Sequence, residues 1–209
     1  MRKMTYLDEL ARKYETDKGG QHFRYGGGDS DTNHNYCEFY DDLFREERDL
    51  VRHVLEIGIN AGSSLRMWEE YFPNAKIVGI DSDAKCLVHN TDRISCYAAD
   101  QNNPQDLYKV MYALKDQATF DLIIDDGSHI REHQVTSMKT LLPFLSKWGY
   151  YIIEDLGTGP DVDFKPLIDA VPTGYRYQMG QIHDGWGPKV QPYEWLFLVE
   201  HEDNNVPGG

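Results

Sequence analysis

The chain has 209 residues, 35 of them acidic against 21 basic, for a formal net charge of −14. Such a surface repels a phosphate backbone, so nucleic acid is excluded as the expected partner; the densest basic cluster, Arg45 to Arg52, is interleaved with Glu46, Glu47 and Asp49. Hydrophobic residues at 40% and aromatics at 12% suit one α/β domain with a sizeable core. Three widely spaced cysteines (Cys37, Cys86, Cys96) imply neither a disulfide framework nor a thiolate metal site. No apolar run has the length of a signal sequence or a membrane span, so a cytoplasmic protein without a membrane partner is expected.

Residues 4–14 place Leu7, Leu10, Ala11 and Tyr14 at helical spacing. A long loop follows, through Tyr14-Glu-Thr-Asp-Lys18-Gly and the glycines 26–28, to about Asn33. Tyr36, Phe39, Tyr40, Leu43 and Phe44 then predict a second helix, with Asp31, Thr32 or Asn33 as its cap. From residue 51 strand and helix alternate. Strands are expected at 52–59, 76–81, 94–99, 120–125 and 149–154, and helices at 63–72, weakly at 84–90, and at 104–115, 130–146 and 163–171. Two last strands, 174–182 and 194–201, flank a segment rich in Gly, Trp and Pro. This order predicts a Rossmann-like, doubly wound α/β sheet, mostly parallel with an antiparallel edge hairpin, behind N-terminal helices. The chain divides into a helical and loop extension over 1–50, a main domain over 51–202 and a tail over 203–209.

Residues 54–62, Val-Leu-Glu-Ile-Gly-Ile-Asn-Ala-Gly, form an apolar strand that stops at Gly58 and Gly62. Glycine at such a turn lets the backbone come close to a ligand. The next strand ends at Asp81, and a glycine turn with an acid on the following strand is how this fold holds a nucleoside. The slots of a dinucleotide fingerprint hold only the first glycine in register, and no phosphate-binding Walker loop is present.

The fourth strand ends Asp125-Asp126-Gly127-Ser128-His129 and the fifth Glu154-Asp155. In a doubly wound sheet these strands are neighbours roughly 5 Å apart and open into the ligand crevice. Carboxylates converging there repel one another unless a cation lies between them, and oxygen ligands suit Mg²⁺ or another hard divalent ion. Asp126, Glu154 and Asp155 are the expected ligands. Asp125 alternates to the other side and serves the sheet or the cofactor. His129, three residues beyond Asp126, faces the same crevice and has a pKa of about 6.5 when unperturbed, suited to a general base for an alcohol.

The Glu56-x-Gly58-x-x-x-Gly62 pattern resembles the first motif of class I S-adenosylmethionine-dependent methyltransferases, with Asn60 where a further glycine is common. S-adenosylmethionine carries a sulfonium charge and no phosphate, which agrees with the missing phosphate cradle. This likeness implies that Glu56, Gly58, Asn60, Gly62 and Ser63 surround the cofactor. It puts Asp81 and Ser82 at the ribose and Asp100 and Gln101 at the adenine, and it adds Asp125 and Lys18.

A narrower likeness rests on Leu-Glu-Ile-Gly, Ser-Leu-Arg-Met-Trp, Tyr-Phe-Pro-Asn-Ala, Ile-Asp-Asp-Gly-Ser-His and Ile-Glu-Asp, together with Tyr14 to Gly19, His22 and Tyr25. These resemble the macrocin/mycinamicin family of sugar O-methyltransferases over most of residues 14–156. The resemblance implies a Mg²⁺-dependent transfer of methyl to a hydroxyl of a small molecule, a deoxysugar or glycosylated natural product, with a histidine base. The rivals are a relative of the cephalosporin hydroxylases, a catechol-type O-methyltransferase, and a non-catalytic cofactor-binding or assembly protein. The sequence is compatible with a homo-oligomer. Trp186, Tyr193 and Trp195 read either as an aromatic lid or as core aromatics of the edge hairpin.

Overall fold

The first helix, α1 (Tyr6–Tyr14), begins on a capping box in which the Thr5 hydroxyl accepts from Asp8 N–H and Asp8 reaches back to Thr5 N–H. These contacts belong to a computed structural model that describes residues 4–19, 34–114, 119–157, 160–182 and 194–204. The helix buries Leu7, Leu10 and Ala11 against α3 (Ser63–Tyr71). Helix α2 (Tyr36–Phe44) starts on Asn35, which is left-handed and makes no side-chain cap. The expected caps Asp31, Thr32 and Asn33 are therefore corrected to Asn35; all three lie outside the described residues.

Seven strands form one sheet in the order β3-β2-β1-β4-β5-β7-β6. Strands β1 (His53–Ile57), β2 (Lys76–Asp81), β3 (Ile94–Ala98), β4 (Phe120–Asp125) and β5 (Leu145–Ile153) run parallel. β6 (Tyr175–Ile182) and β7 (Glu194–His201) make the antiparallel hairpin, with β7 wedged between β5 and the edge strand β6. This is the doubly wound, mostly parallel sheet with an antiparallel edge that the alternation predicts.

Three elements differ from expectation. β5 begins at Leu145 rather than 149, because Pro143 ends α5 (Arg131–Leu141) in a 3₁₀ turn and frees the chain to enter the sheet. The helix expected at 163–171 is one turn, α6 (Lys165–Ile168), and the weak helix near 84–90 is a 3₁₀ segment, Ala84–His89. Helix α4 (Pro104–Ala113) follows its signals, with Asn103 capping Gln105 N–H and Pro104 in the first turn.

Alternation along each strand splits the core in two. Val54, Leu122, Ile124 and Ile152 meet Leu7, Tyr36, Tyr40 and Trp68 on one face. Leu55, Ile123 and Ile153 meet Leu107, Met138 and Leu141 of α4 and α5 on the other. The N-terminal helices are thus part of the main core and cover one face of the sheet. Among the described residues no helix is long and apolar enough to cross a membrane. The three cysteines are buried and not joined in disulfides.

Candidate active site

The parallel strands end in a crevice whose two halves touch at Gly58. This residue has φ +95°, and a Cβ built there would lie 2.1 Å from the carbonyl oxygen of Asp126. Gly58 N–H donates to Ile80 O at 2.8 Å and Asp126 N–H to Ile57 O at 3.0 Å, so the turn ties β1 to both neighbouring strands. Gly62 is also left-handed, at φ +71°, and a side chain there would strike the His89 ring.

On the β1–β3 side lies a cavity of about 310 Å³. Of the expected residues, Gly58, Asp81, Ser82, Asp100 and Gln101 line it; Ser128 and His133, linked by a 2.9 Å hydrogen bond, line it without having been singled out. Asp81 Oδ2 accepts from Ile59 N–H at 2.9 Å and Asn60 N–H at 3.2 Å, which locks the glycine turn to the end of β2. Burial works against its charge, but these bonds and that from Asp83 N–H hold it below the usual carboxylate range. Ile57, Ile80 and Ala99 supply apolar walls. Apolar walls, two acids and neither lysine nor arginine suit a nucleoside without phosphate, so the lining fits S-adenosylmethionine.

Glu56, Asn60, Gly62, Ser63, Asp125 and Lys18 are not among the residues lining this cavity. Asp125 is fully buried. Its carboxylate accepts from the Ser137 hydroxyl and from Gln101 Nε2 at 3.0 Å, because strand alternation turns it inward while Asp126 faces the crevice. Gln101 in turn accepts Ser128 N–H at 2.6 Å, so it braces the Gly127–Ser128 turn. Glu56 is fully buried and accepts from the Ser64 hydroxyl at 2.8 Å.

Lys18 has gone to the acids. Its ammonium is buried between Asp126 Oδ2 at 2.6 Å, Glu154 Oε2, and Glu56 Oε1 at 3.4 Å. Burial opposes the charge, but the three carboxylates hold it well above the ordinary lysine range. The same arrangement occupies Glu154, whose other oxygen accepts the Tyr40 hydroxyl at 2.6 Å.

Asp155 adopts φ +51° and His129 φ +57°, left-handed conformations that cost energy in residues other than glycine and recur at functional sites. His129 Nε2 stands 3.7 Å from Asp155 Oδ2. Asp126, His129 and Asp155 each offer a ligand atom, all within 4.8 Å of one another. Two carboxylates and an imidazole suit a divalent cation. Glu154 is not in that group.

A second cluster shares Asp155 and joins His34 to Glu194. His34 Nδ1 lies 2.7 Å from Glu194 Oε2 and 3.2 Å from Asp155 Oδ1. Burial disfavours the His34 cation, yet the bond to Glu194 and the Asp155 charge raise its pKa to about 9. Burial would raise Asp155, but its bond with Glu194 and the nearby His34 bring it down to about 2. His34 is thus a cation at neutral pH and this cluster an internal ion pair. His34, Tyr36 and Tyr40 carried no sequence signal for the site; the two tyrosines read as core aromatics of α2. Trp195 stacks edge-on against Phe164 at 5.1 Å, as a core aromatic of the hairpin does. His22, Tyr25, His183, Asp184, Trp186 and Tyr193 lie outside the described residues.

No protein-family model matches the chain. It is 38% identical over 161 residues to L-olivosyl-oleandolide 3-O-methyltransferase of Streptomyces antibioticus, an alignment covering 73% of this chain and 37% of the relative. Mycinamicin VI 2''-O-methyltransferase of Micromonospora griseorubida is 36% identical over 159 residues, covering 73% and 36%. A structure of MycE methyltransferase from the mycinamycin biosynthetic pathway, in complex with Mg and SAH, superposes with a TM-score of 0.69 at 27% identity. That match covers 99% of this chain and 57% of MycE. The chain is a homologue of these sugar O-methyltransferases and has the class I methyltransferase fold. It spans little more than a third of the length of the curated relatives it matches.

Proposed function

We propose that this chain is a Mg²⁺- and S-adenosylmethionine-dependent O-methyltransferase that acts on a hydroxyl of a sugar-bearing small molecule. The observation that carries the reading is the shared wall of the two half-sites: Gly58, at the rim of the nucleoside cavity, is in backbone contact with Asp126 of the acid cluster. A donor in the cavity and an acceptor at the acids would therefore meet. The relatives' names support a sugar as acceptor, and the −14 charge disfavours a nucleic acid.

Gly58, Asp81, Ser82 and Asp100 would hold the methyl donor. Asp126 and Asp155 would hold the divalent cation, with Glu154 beside them. When bound, such an ion supplies an electrophilic anchor for acceptor oxygens and favours loss of the hydroxyl proton. His129 is the base in this reading. It is half exposed at the crevice mouth, and Asp155 Oδ2, 3.7 Å from its Nε2, would steady the imidazolium that results when the ring takes the acceptor's proton. The acceptor oxygen then forms its bond to the methyl carbon as the carbon–sulfur bond breaks. The extension over residues 1–50 contributes Lys18, His34, Tyr36 and Tyr40 to the site.

The test is methyl transfer from S-adenosylmethionine to a panel of glycosylated metabolites, with and without EDTA. Transfer that needs a divalent ion is expected, and His129→Ala should lose at least a hundredfold in turnover while binding S-adenosylhomocysteine (SAH) as before. Transfer undiminished in EDTA would refute the metal, and an active His129→Ala enzyme would remove the base.

A further inference from the structure

Glu154 and Asp155 are successive residues, and in an extended strand their side chains would point to opposite faces. The left-handed backbone at Asp155 breaks that alternation and brings both carboxylates to one helix. Tyr36 and Tyr40 stand one turn apart on α2, at the i, i+4 spacing that puts two side chains on one helix face. Tyr40 donates to Glu154 Oε1 at 2.6 Å, and Tyr36 donates to Asp155 Oδ1 at 2.7 Å. The Tyr36 hydroxyl also accepts Asp155 N–H at 3.2 Å, so one oxygen atom spans the backbone and the carboxylate of the strained residue. Both phenols are buried, and a buried hydroxyl that meets a charge makes a strong and directional bond.

We propose that this tyrosine pair is the positioning element of the acid site, and that Tyr36 in particular sets the ligand geometry of Asp155. With Oδ1 engaged by Tyr36 and by His34 at 3.2 Å, Oδ2 is left facing His129 and the gathered ligand atoms. The tyrosine fixes which oxygen faces the cation and holds the left-handed turn that carries it. Tyr40 acts on Glu154, which Lys18 also holds, so its removal leaves that acid anchored. The inference rests on the proposed metal-dependent reading and deepens it: partners that orient a ligand typically change metal affinity by about 10- to 100-fold when removed.

The experiment is a titration of the purified full chain with Mn²⁺, read by the electron paramagnetic resonance of the free ion, beside calorimetry with SAH. Tyr36→Phe should bind Mn²⁺ at least tenfold more weakly and SAH within twofold of wild type. Tyr40→Phe should lose less than threefold in Mn²⁺ affinity. A purely structural tyrosine would weaken both ligands together or neither. Wild-type Mn²⁺ affinity in Tyr36→Phe would overturn the inference, and so would a Tyr40→Phe loss exceeding that of Tyr36→Phe. A wild-type chain that binds SAH but no Mn²⁺ would overturn the metal reading itself, and the inference with it. Should Tyr36→Phe fail to fold, His34→Gln removes a second neighbour of Asp155 Oδ1. The affinity should then fall by about threefold or less if Tyr36 is the main determinant, and a larger loss would refute it.

Discussion

At the ends of β1, β2 and β3 the crevice is shaped by backbone: Gly58 and Gly62 are left-handed, and Asp81 pins the turn through the N–H groups of Ile59 and Asn60. At the ends of β4 and β5 it is shaped by charge. There Asp126, Glu154 and Asp155 are held apart by Lys18, His34, Tyr36 and Tyr40, all of which come from the first 40 residues. The first half is local in sequence and asks for small residues at fixed spacing. The second is assembled from distant segments, so its stability is that of a buried ion-pair network.

The comparison can be broken most forcefully at Lys18. Lys18→Met leaves three carboxylates without their shared cation, and removal of one partner from a buried ion pair costs about 3–5 kcal/mol. The midpoint of guanidinium unfolding should drop accordingly; a change under about 1 kcal/mol would mean the acids do not depend on the N-terminal segment. Next comes Gly58→Ala, where the two halves meet. A methyl group 2.1 Å from Asp126 O has no room, and the φ of +95° is strained for alanine. SAH and Mn²⁺ should both lose more than tenfold in affinity, whereas loss of one alone would show the halves to be independent.

Asp81→Asn separates them. It keeps the shape of the turn but removes a charge that accepts several hydrogen bonds, and about tenfold in SAH affinity should go with it while Mn²⁺ affinity stays. The last prediction is read against pH and concerns His34. Its folded pKa of about 9 lies above the unfolded value of about 6.5. Its contribution to stability is therefore complete below pH 6.5 and is lost as the pH rises through 9. His34→Gln should flatten the decline of stability between those values, and parallel curves for variant and wild type would assign the decline elsewhere.

The order of strands and the place of the crevice were legible in the sequence because apolar runs ending in glycine or acid recur at crossover spacing. Asp81, Asp126, His129 and Asp155 could be singled out as candidates for the same reason: each stands at or just beyond the end of a strand. Lys18 was picked out by resemblance but assigned to the wrong half, since no local rule says which carboxylate a lysine on a long loop will meet. Asp125 turns away from the donor cavity to meet Gln101, which lines it, and strict period-2 alternation after Ile124 carries that information for Asp125. Tyr36 and Tyr40 were hidden by their own aptness as core residues. Their rings do pack in the core, and only the ends of their hydroxyls reach the acids.

The most direct test of the central claim is a crystal of the full chain grown with SAH and Mn²⁺, examined for anomalous scattering at the manganese edge. One peak is predicted, within coordination distance of Asp126 and Asp155, with the nucleoside of SAH in the cavity beside Gly58 and Asp81. SAH bound there with no manganese at the acids, or manganese only at His34 and Glu194, would contradict the account.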